Sequence, residues 1–140
     1  HESPRRNINF VSRKITKNLS LIVKGKIKKI ILGNINSKRD WGHAKDYVYA
    51  MWKILQLKKP QDFVIGTGKL HSVRDFLHLA FKRANLDYKK YIKIDKRLFR
   101  PNDDIILKAN FNKAKRILNW KPKISFKSLV NEMVDYDLNN

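Results

Sequence analysis

The sequence predicts an α/β fold. Short apolar stretches bounded by turn residues alternate with segments of helical apolar spacing. A hydrophobic fraction of 42%, with 11% aromatic, is enough to bury a core. The length of 140 residues suits one domain. Val11, Ile15, Leu19 and Ile22 recur at spacings of three and four, which places a helix over 10–24 that Gly25 stops. Lys29 to Leu32 is a short apolar strand, and a polar loop runs from Gly33 to Asp40. A second helix is predicted over 43–56, with Ala44, Tyr47, Val48, Met51, Ile54 and Leu55 on one face and Pro60 beyond its end. Asp62 to Ile65 follows as a strand, and Gly66 and Gly68 make a turn. Ser72-Val73-Arg74-Asp75 is a capping-box pattern opening a third helix to about Asn85. Tyr91 to Asp95 alternates as a third strand. Asn110 is expected to cap a short helix to Leu118, and Ser125 starts the last helix. Three short strands are too few for a self-sufficient doubly wound sheet.

Thirty-two basic residues against 12 acidic ones give a formal net charge of +20. Such a balance suggests nucleic acid or an anionic surface, but its make-up argues otherwise. The cations are 23 Lys and 9 Arg, spread along the chain rather than gathered in Arg patches. Lys, Asn and Ile, all with AT-rich codons, make up 51 of the 140 residues, so much of the charge reads as compositional. The absence of cysteine excludes disulfides, thiol catalysis and Cys-based metal sites. No apolar run approaches a membrane span. The chain opens on His1-Glu2-Ser3-Pro4-Arg5-Arg6, without an initiator Met or a signal-peptide core, and is expected to begin partway along a longer protein.

Several residues could carry chemistry. There is no glycine-rich G-x-G-x-x-G turn and no phosphate loop. Gly66-Thr67-Gly68 reads as an ordinary turn. No metal-ligand pattern joins the four histidines, and His71 and His78 read as core or surface residues. Tyr49 and Lys53 spell Tyr-x-x-x-Lys, a spacing that puts a phenol and an ammonium on one helix face. Without a Ser/Thr partner or a cofactor loop they are rejected as a catalytic pair. In the loop 34–43, Arg39 could grip a phosphate while Asp40 caps the next helix and orients Arg39. A solvated loop anchored by Trp41 fits those residues equally well. Arg100-Pro101-Asn102-Asp103 reads as a surface turn carrying a cation and a carboxylate, and Arg5-Arg6 as a basic terminus. Lys14 lies one turn into a helix, where an ammonium gains nothing from the dipole, which favours a ligand role.

Longer strings are more specific. HESPRR at 1–6, Phe10-Val11-Ser12-Arg13-Lys14-Ile15, Leu32-Gly33-Asn34 and KRDWGHAKDYV at 38–48 resemble GDP-mannose 4,6-dehydratases. So do Ala50-Met51-Trp52, Asp62-Phe63-Val64-Ile65, His71-Ser72-Val73-Arg74, Phe99-Arg100-Pro101 and Asn119-Trp120-Lys121-Pro122. The similarity runs through the chain in order. It implies the C-terminal substrate-binding half of an extended short-chain dehydrogenase/reductase. The N-terminal Rossmann part, which in that family holds NADP and the catalytic Thr/Ser, Glu, Tyr and Lys, is expected to lie outside these 140 residues.

Residue by residue, the resemblance implies that His1 and Arg6 contact NADP. It places Lys14, Arg39 and Arg100 on GDP-mannose, with Arg100 on the diphosphate. Asp103 stands near the nucleotide where the family has Glu. Asn7 and Ile105 also depart from the family pattern. Residues 1–140 then form one nucleotide-sugar-binding region with no catalytic residue of its own and no turnover alone. The whole enzyme is expected to be a cytoplasmic homo-oligomer, a lyase without nucleic-acid or membrane partners. Another nucleotide-sugar dehydratase or epimerase, or a basic nucleic-acid-binding module, are the competing readings. If helix 43–56 and the early strands pack on the Rossmann half, this chain by itself exposes apolar surface.

Overall fold

The computed structural model describes residues 1–101 and 105–140. Helices α1 (Val11–Val23), α3 (Val73–Arg83) and α5 (Phe126–Asn139) turn their apolar stripes on one another. Ile15, Leu19, Phe76, Phe81, Val130 and Met133 are wholly shielded from solvent in this main core. Each such side chain contributes about 1.5–3 kcal/mol of transfer free energy. Gly25 ends α1 as expected: its φ of +69° is a left-handed conformation, and the Lys26 amide bonds back to the Leu21 carbonyl at 2.8 Å.

Strand β1 (Ile30–Leu32) pairs in parallel with a later strand over Ile92–Ile94, with Ile30 opposite Ile92 and Leu32 opposite Ile94. Between them, β2 (Lys38–Arg39) and β3 (His71–Ser72) form a short antiparallel pair with Arg39 opposite His71. The Ile92–Ile94 strand is β4. Helix α2 (Ala44–Leu55) and helix α4 (Asn112–Leu118) enclose a second, smaller core of Ala50, Ala114, Leu118 and Trp120. The capping box at α3 forms in full: Ser72 Oγ accepts from the Asp75 amide at 3.0 Å, and Asp75 Oδ2 accepts from the Ser72 amide at 2.8 Å. Ser125 caps α5, accepting from the Ser128 amide at 3.1 Å.

Three expectations are corrected. Asp62–Ile65 has a strand's composition but forms no strand; among the described residues no other strand pairs with it. A strand exists only where a neighbour takes its backbone ladder. Phe63 and Ile65 pack instead on the smaller core while Val64 stays exposed. The supposed loop 33–40 contains β2, whose two residues are too short to leave a periodic signal. Asn110 is not the cap of α4. Phe111 occupies that position, and the Asn110 side chain accepts from the Asn112 amide at 3.1 Å as a local turn.

Helix α2 has the predicted periodicity, yet only Asp46 and Ala50 are buried along it. Val48, Met51, Trp52 and Leu55 are 61%, 52%, 54% and 81% exposed. No helix among the described residues is long and apolar enough to cross a membrane.

Candidate functional site

His1, Arg6, Lys14, Arg39 and Arg100 line one cleft of about 750 Å³. These are five of the six residues singled out in the sequence; the sixth, Asp103, lies outside the described residues. They come from distant parts of the chain. The N-terminal segment is held against the start of α2 by two 2.8 Å bonds, from the Glu2 amide to the Gly42 carbonyl and from the Ala44 amide to the Glu2 carbonyl. That clasp brings His1 and Arg6 to the rim. Lys14 projects from the first turns of α1, and β2 presents Arg39. Arg100 follows a single 3-10 turn, Lys96–Leu98, after β4. That segment lies tight against Gly33, where a Cβ would stand 2.7 Å from the Leu98 carbonyl oxygen.

Among the described residues, four cations share the cleft with the carboxylates of Glu2 and Asp40, and both carboxylates are engaged. Glu2, 5% exposed, accepts a hydrogen bond from Ser12 Oγ and stands 3.5 Å from Arg6 Nε. The Arg6 guanidinium also lies over the Phe10 ring, 3.4 Å from its centroid. Asp40 does not cap α2, contrary to the expectation. Its Oδ1 accepts from the Thr67 amide at 2.8 Å and from Thr67 Oγ1 at 2.5 Å. Its Oδ2 accepts from the amides of Gly68 at 2.8 Å and Ala109 at 3.1 Å. The cap of α2 is His43, whose Nδ1 accepts from the Lys45 amide at 3.0 Å while Nε2 meets Glu132 Oε2 at 3.0 Å. The Gly66-Thr67-Gly68 turn therefore has a definite occupant, which its composition did not reveal. Of the two readings of loop 34–43, the structure combines parts of both: Trp41 is a buried anchor at 6% exposure, and Arg39 lines the cleft.

The chain was compared with known proteins. The family model described as GDP-mannose 4,6 dehydratase matches residues 1–133. The chain belongs to that family. It is 51% identical to GDP-mannose 4,6 dehydratase 1 of Arabidopsis thaliana, over 99% of this chain and 38% of the relative. It is 47% identical to GDP-mannose 4,6 dehydratase of Dictyostelium discoideum, over 99% of this chain and 44% of the relative. The chain therefore spans about two fifths of the length of the curated relatives it matches. RMD from Pseudomonas aeruginosa, solved in complex with NADPH, superposes with a TM-score of 0.87 at 16% identity, over 98% of this chain and 45% of that one. At that identity the likeness establishes the fold alone.

Two groups near the cleft have shifted acidities. Burial, with the negative charges of Asp40, Asp46 and Glu2, pushes the Tyr47 phenol up to about 12. Tyr47 is neutral at physiological pH and packs against His1 in a tilted arrangement, with ring centroids 5.0 Å apart and the planes at 36°. On the far side of Trp41, a second cleft of about 650 Å³ is lined by His71, His78, Lys123 and Phe126 among others. His71 stacks on Phe126 at 3.9 Å, and burial lowers its pKa from 6.5. Tyr49 and Lys53, rejected as a catalytic pair, sit on α2 and line neither cleft, although Lys123 Nζ lies 5.5 Å from the Tyr49 ring centroid. The Lys53 ammonium lies 5.2 Å from the Tyr49 ring centroid, a cation–π contact on the helix surface.

Proposed function

We propose that this chain is the substrate-binding part of a GDP-mannose 4,6-dehydratase. The observation that carries the reading is the convergence of Arg6, Lys14, Arg39 and Arg100 on one cleft, in which the carboxylates of Glu2 and Asp40 are already hydrogen-bonded. A cleft lined by guanidinium and ammonium groups, with an apolar wall, suits a diphosphate joined to a flat base. Lys14, Arg39 and Arg100 hold GDP-mannose, with Arg100 on the diphosphate and Asp103 near the nucleotide. His1 and Arg6, at the N-terminal rim, hold NADP; cationic and aromatic groups at one cleft edge fit a phosphate-bearing cofactor. When bound, NADP supplies the reversible hydride acceptor for an internal redox cycle in which the hexose loses water.

The share of this chain is binding and orientation. Contacts to the GDP moiety position the hexose for groups carried elsewhere in the whole enzyme. The chain contributes no catalytic residue, and alone it is expected to have no turnover. The exposed face of α2 and the unpaired segment 62–65 adjoin each other through the smaller core. They form the surface on which the cofactor-binding part packs. The enzyme is a lyase working in the cytoplasm as a homo-oligomer, with neither nucleic acid nor membrane as partner.

The test is a dehydratase assay of the full-length protein with GDP-mannose in competition with UDP- and dTDP-sugars. GDP-mannose is expected to be preferred, and Arg39→Ala and Arg100→Ala are each expected to raise KM. Preference for a UDP- or dTDP-sugar would replace this reading with that of another nucleotide-sugar enzyme.

A further inference from the structure

We propose that Asp40 is a positioning residue for Arg39, and that the Gly66-Thr67-Gly68 turn is the cradle through which it acts. The proposal deepens the reading of the cleft and rests on it. Arg39 is the last residue of β2, and its backbone is tied on one side by pairing with His71. The strand has only two residues, so pairing alone leaves the direction of the following chain undefined. Asp40 is the next residue. Its carboxylate takes donors from positions 27, 28 and 69 residues away in sequence: Thr67, Gly68 and Ala109. Three backbone amides and one hydroxyl converging on a carboxylate form a preorganised anion nest, and here the anion belongs to the chain itself.

The composition of the turn follows from that occupant. Gly68 has a φ of +69°, which a side chain would oppose. At Gly66 a Cβ would stand 2.3 Å from Ala109 Cβ and 3.3 Å from Asp40 Oδ2. Gly66 is therefore demanded by the closeness of the carboxylate and the 109 segment, and Gly68 by its left-handed backbone. No dinucleotide is needed to explain them. The nest fixes Asp40, and Asp40 fixes the end of β2 from which Arg39 reaches the cleft. Trp41 continues the anchor by burying its ring against Phe76, with centroids 5.5 Å apart.

The test is carried out in the full-length protein by calorimetric titration with GDP and, separately, with NADP. Arg39→Ala reports on the reading of the cleft: no change in GDP affinity would overturn that reading and this proposal with it. Given a loss there, Asp40→Asn and Thr67→Val are each expected to weaken GDP binding roughly tenfold, the equivalent of one misplaced charge-assisted contact. NADP affinity should stay the same. Thr67→Ser, which keeps the hydroxyl donor, should bind GDP like wild type. In the Arg39→Ala background, Asp40→Asn should cost nothing further, because a residue that acts through Arg39 has nothing left to act through. An equal loss in both backgrounds, an equal loss of NADP affinity, or unchanged GDP binding in Asp40→Asn would each overturn the proposal. Thr67→Val removes one hydrogen bond from the same nest, so it decides the matter if Asp40→Asn does not fold.

Discussion

Asp137 is the most exacting electrostatic site in the main core. It lies on α5 with no exposure to solvent. Thr16 Oγ1 donates to it at 2.7 Å and Arg13 Nη1 at 2.5 Å, while Lys17 Nζ stands 3.9 Å away. All three partners are on α1, the helix that carries Lys14 into the cleft, so this network sets how α1 sits on α5. The side chain of Arg13 is only 14% exposed. Asp137→Ala would therefore strand a largely desolvated guanidinium and a buried hydroxyl together. Removing one partner of a buried ion pair costs about 3–5 kcal/mol, far more than a surface pair is worth. Native-state hydrogen exchange of the full-length protein reads this locally. Amides of α1 and α5 should exchange roughly 10²–10⁴-fold faster in Asp137→Ala. Replacing the network by apolar groups in Arg13→Met/Thr16→Val/Asp137→Leu should recover most of the loss, because no polar group is then orphaned. If the α1 and α5 amides of Asp137→Ala exchanged within about threefold of wild type, a difference of less than 1 kcal/mol, the network would be ornamental and the reasoning refuted.

Other consequences can be checked more simply. Gly33→Ala would place a methyl 2.7 Å from the Leu98 carbonyl oxygen and push the segment leading to Arg100. The expected result is a higher KM for nucleotide sugar and a stability loss of about 1–3 kcal/mol by thermal denaturation. Burial alone would raise the Asp75 carboxyl, but hydrogen bonds from the Ser72 amide and hydroxyl, with the charges of His71 and Lys38, hold it below its usual 3.8. The unfolded chain takes up that proton first, so this stability is complete above pH 3.8 and lost as pH falls through the folded value. Asp75→Asn should flatten that limb of a Tm-against-pH curve. His71 is held neutral by burial, its pKa lowered from 6.5, so its contribution is complete above pH 6.5 and lost as pH falls through the lowered value. His71→Phe keeps an aromatic ring on Phe126 and should remove that part of the acid sensitivity.

What the sequence disclosed follows from how far each signal reaches along the chain. The helices and two of their caps were legible because a cap spans three residues and a helical stripe repeats within four. Ser72 with Asp75, and Ser125, were found in that way. That 62–65 forms no strand was not legible, because a strand's existence depends on a neighbour that local pattern does not name. The same limit hid the nest of Asp40, whose donors lie 27 to 69 residues away. For the cleft, composition left Arg39 undecided and favoured a surface turn for Arg100. Only the longer family strings singled out both, and the fold then brought them into one cleft with Lys14 and Arg6.

The net charge of +20 illustrates why counting cations was a poor guide to function. In water, charges more than about 10 Å apart are largely screened at ordinary ionic strength. The dispersed lysines therefore act mainly on solubility. A cation affects a ligand when it stands in a cleft and no carboxylate competes for the same contact. Among the described residues of the cleft, Glu2 is committed to Ser12 and Arg6, and Asp40 to the Gly66–Gly68 nest. The placement of these acidic residues, as well as that of the basic ones, thus shapes the charge of the cleft. The substitutions most informative about ligand binding are for this reason those at Asp40 and Glu2, which neutralise an acid, rather than those at any of the exposed lysines.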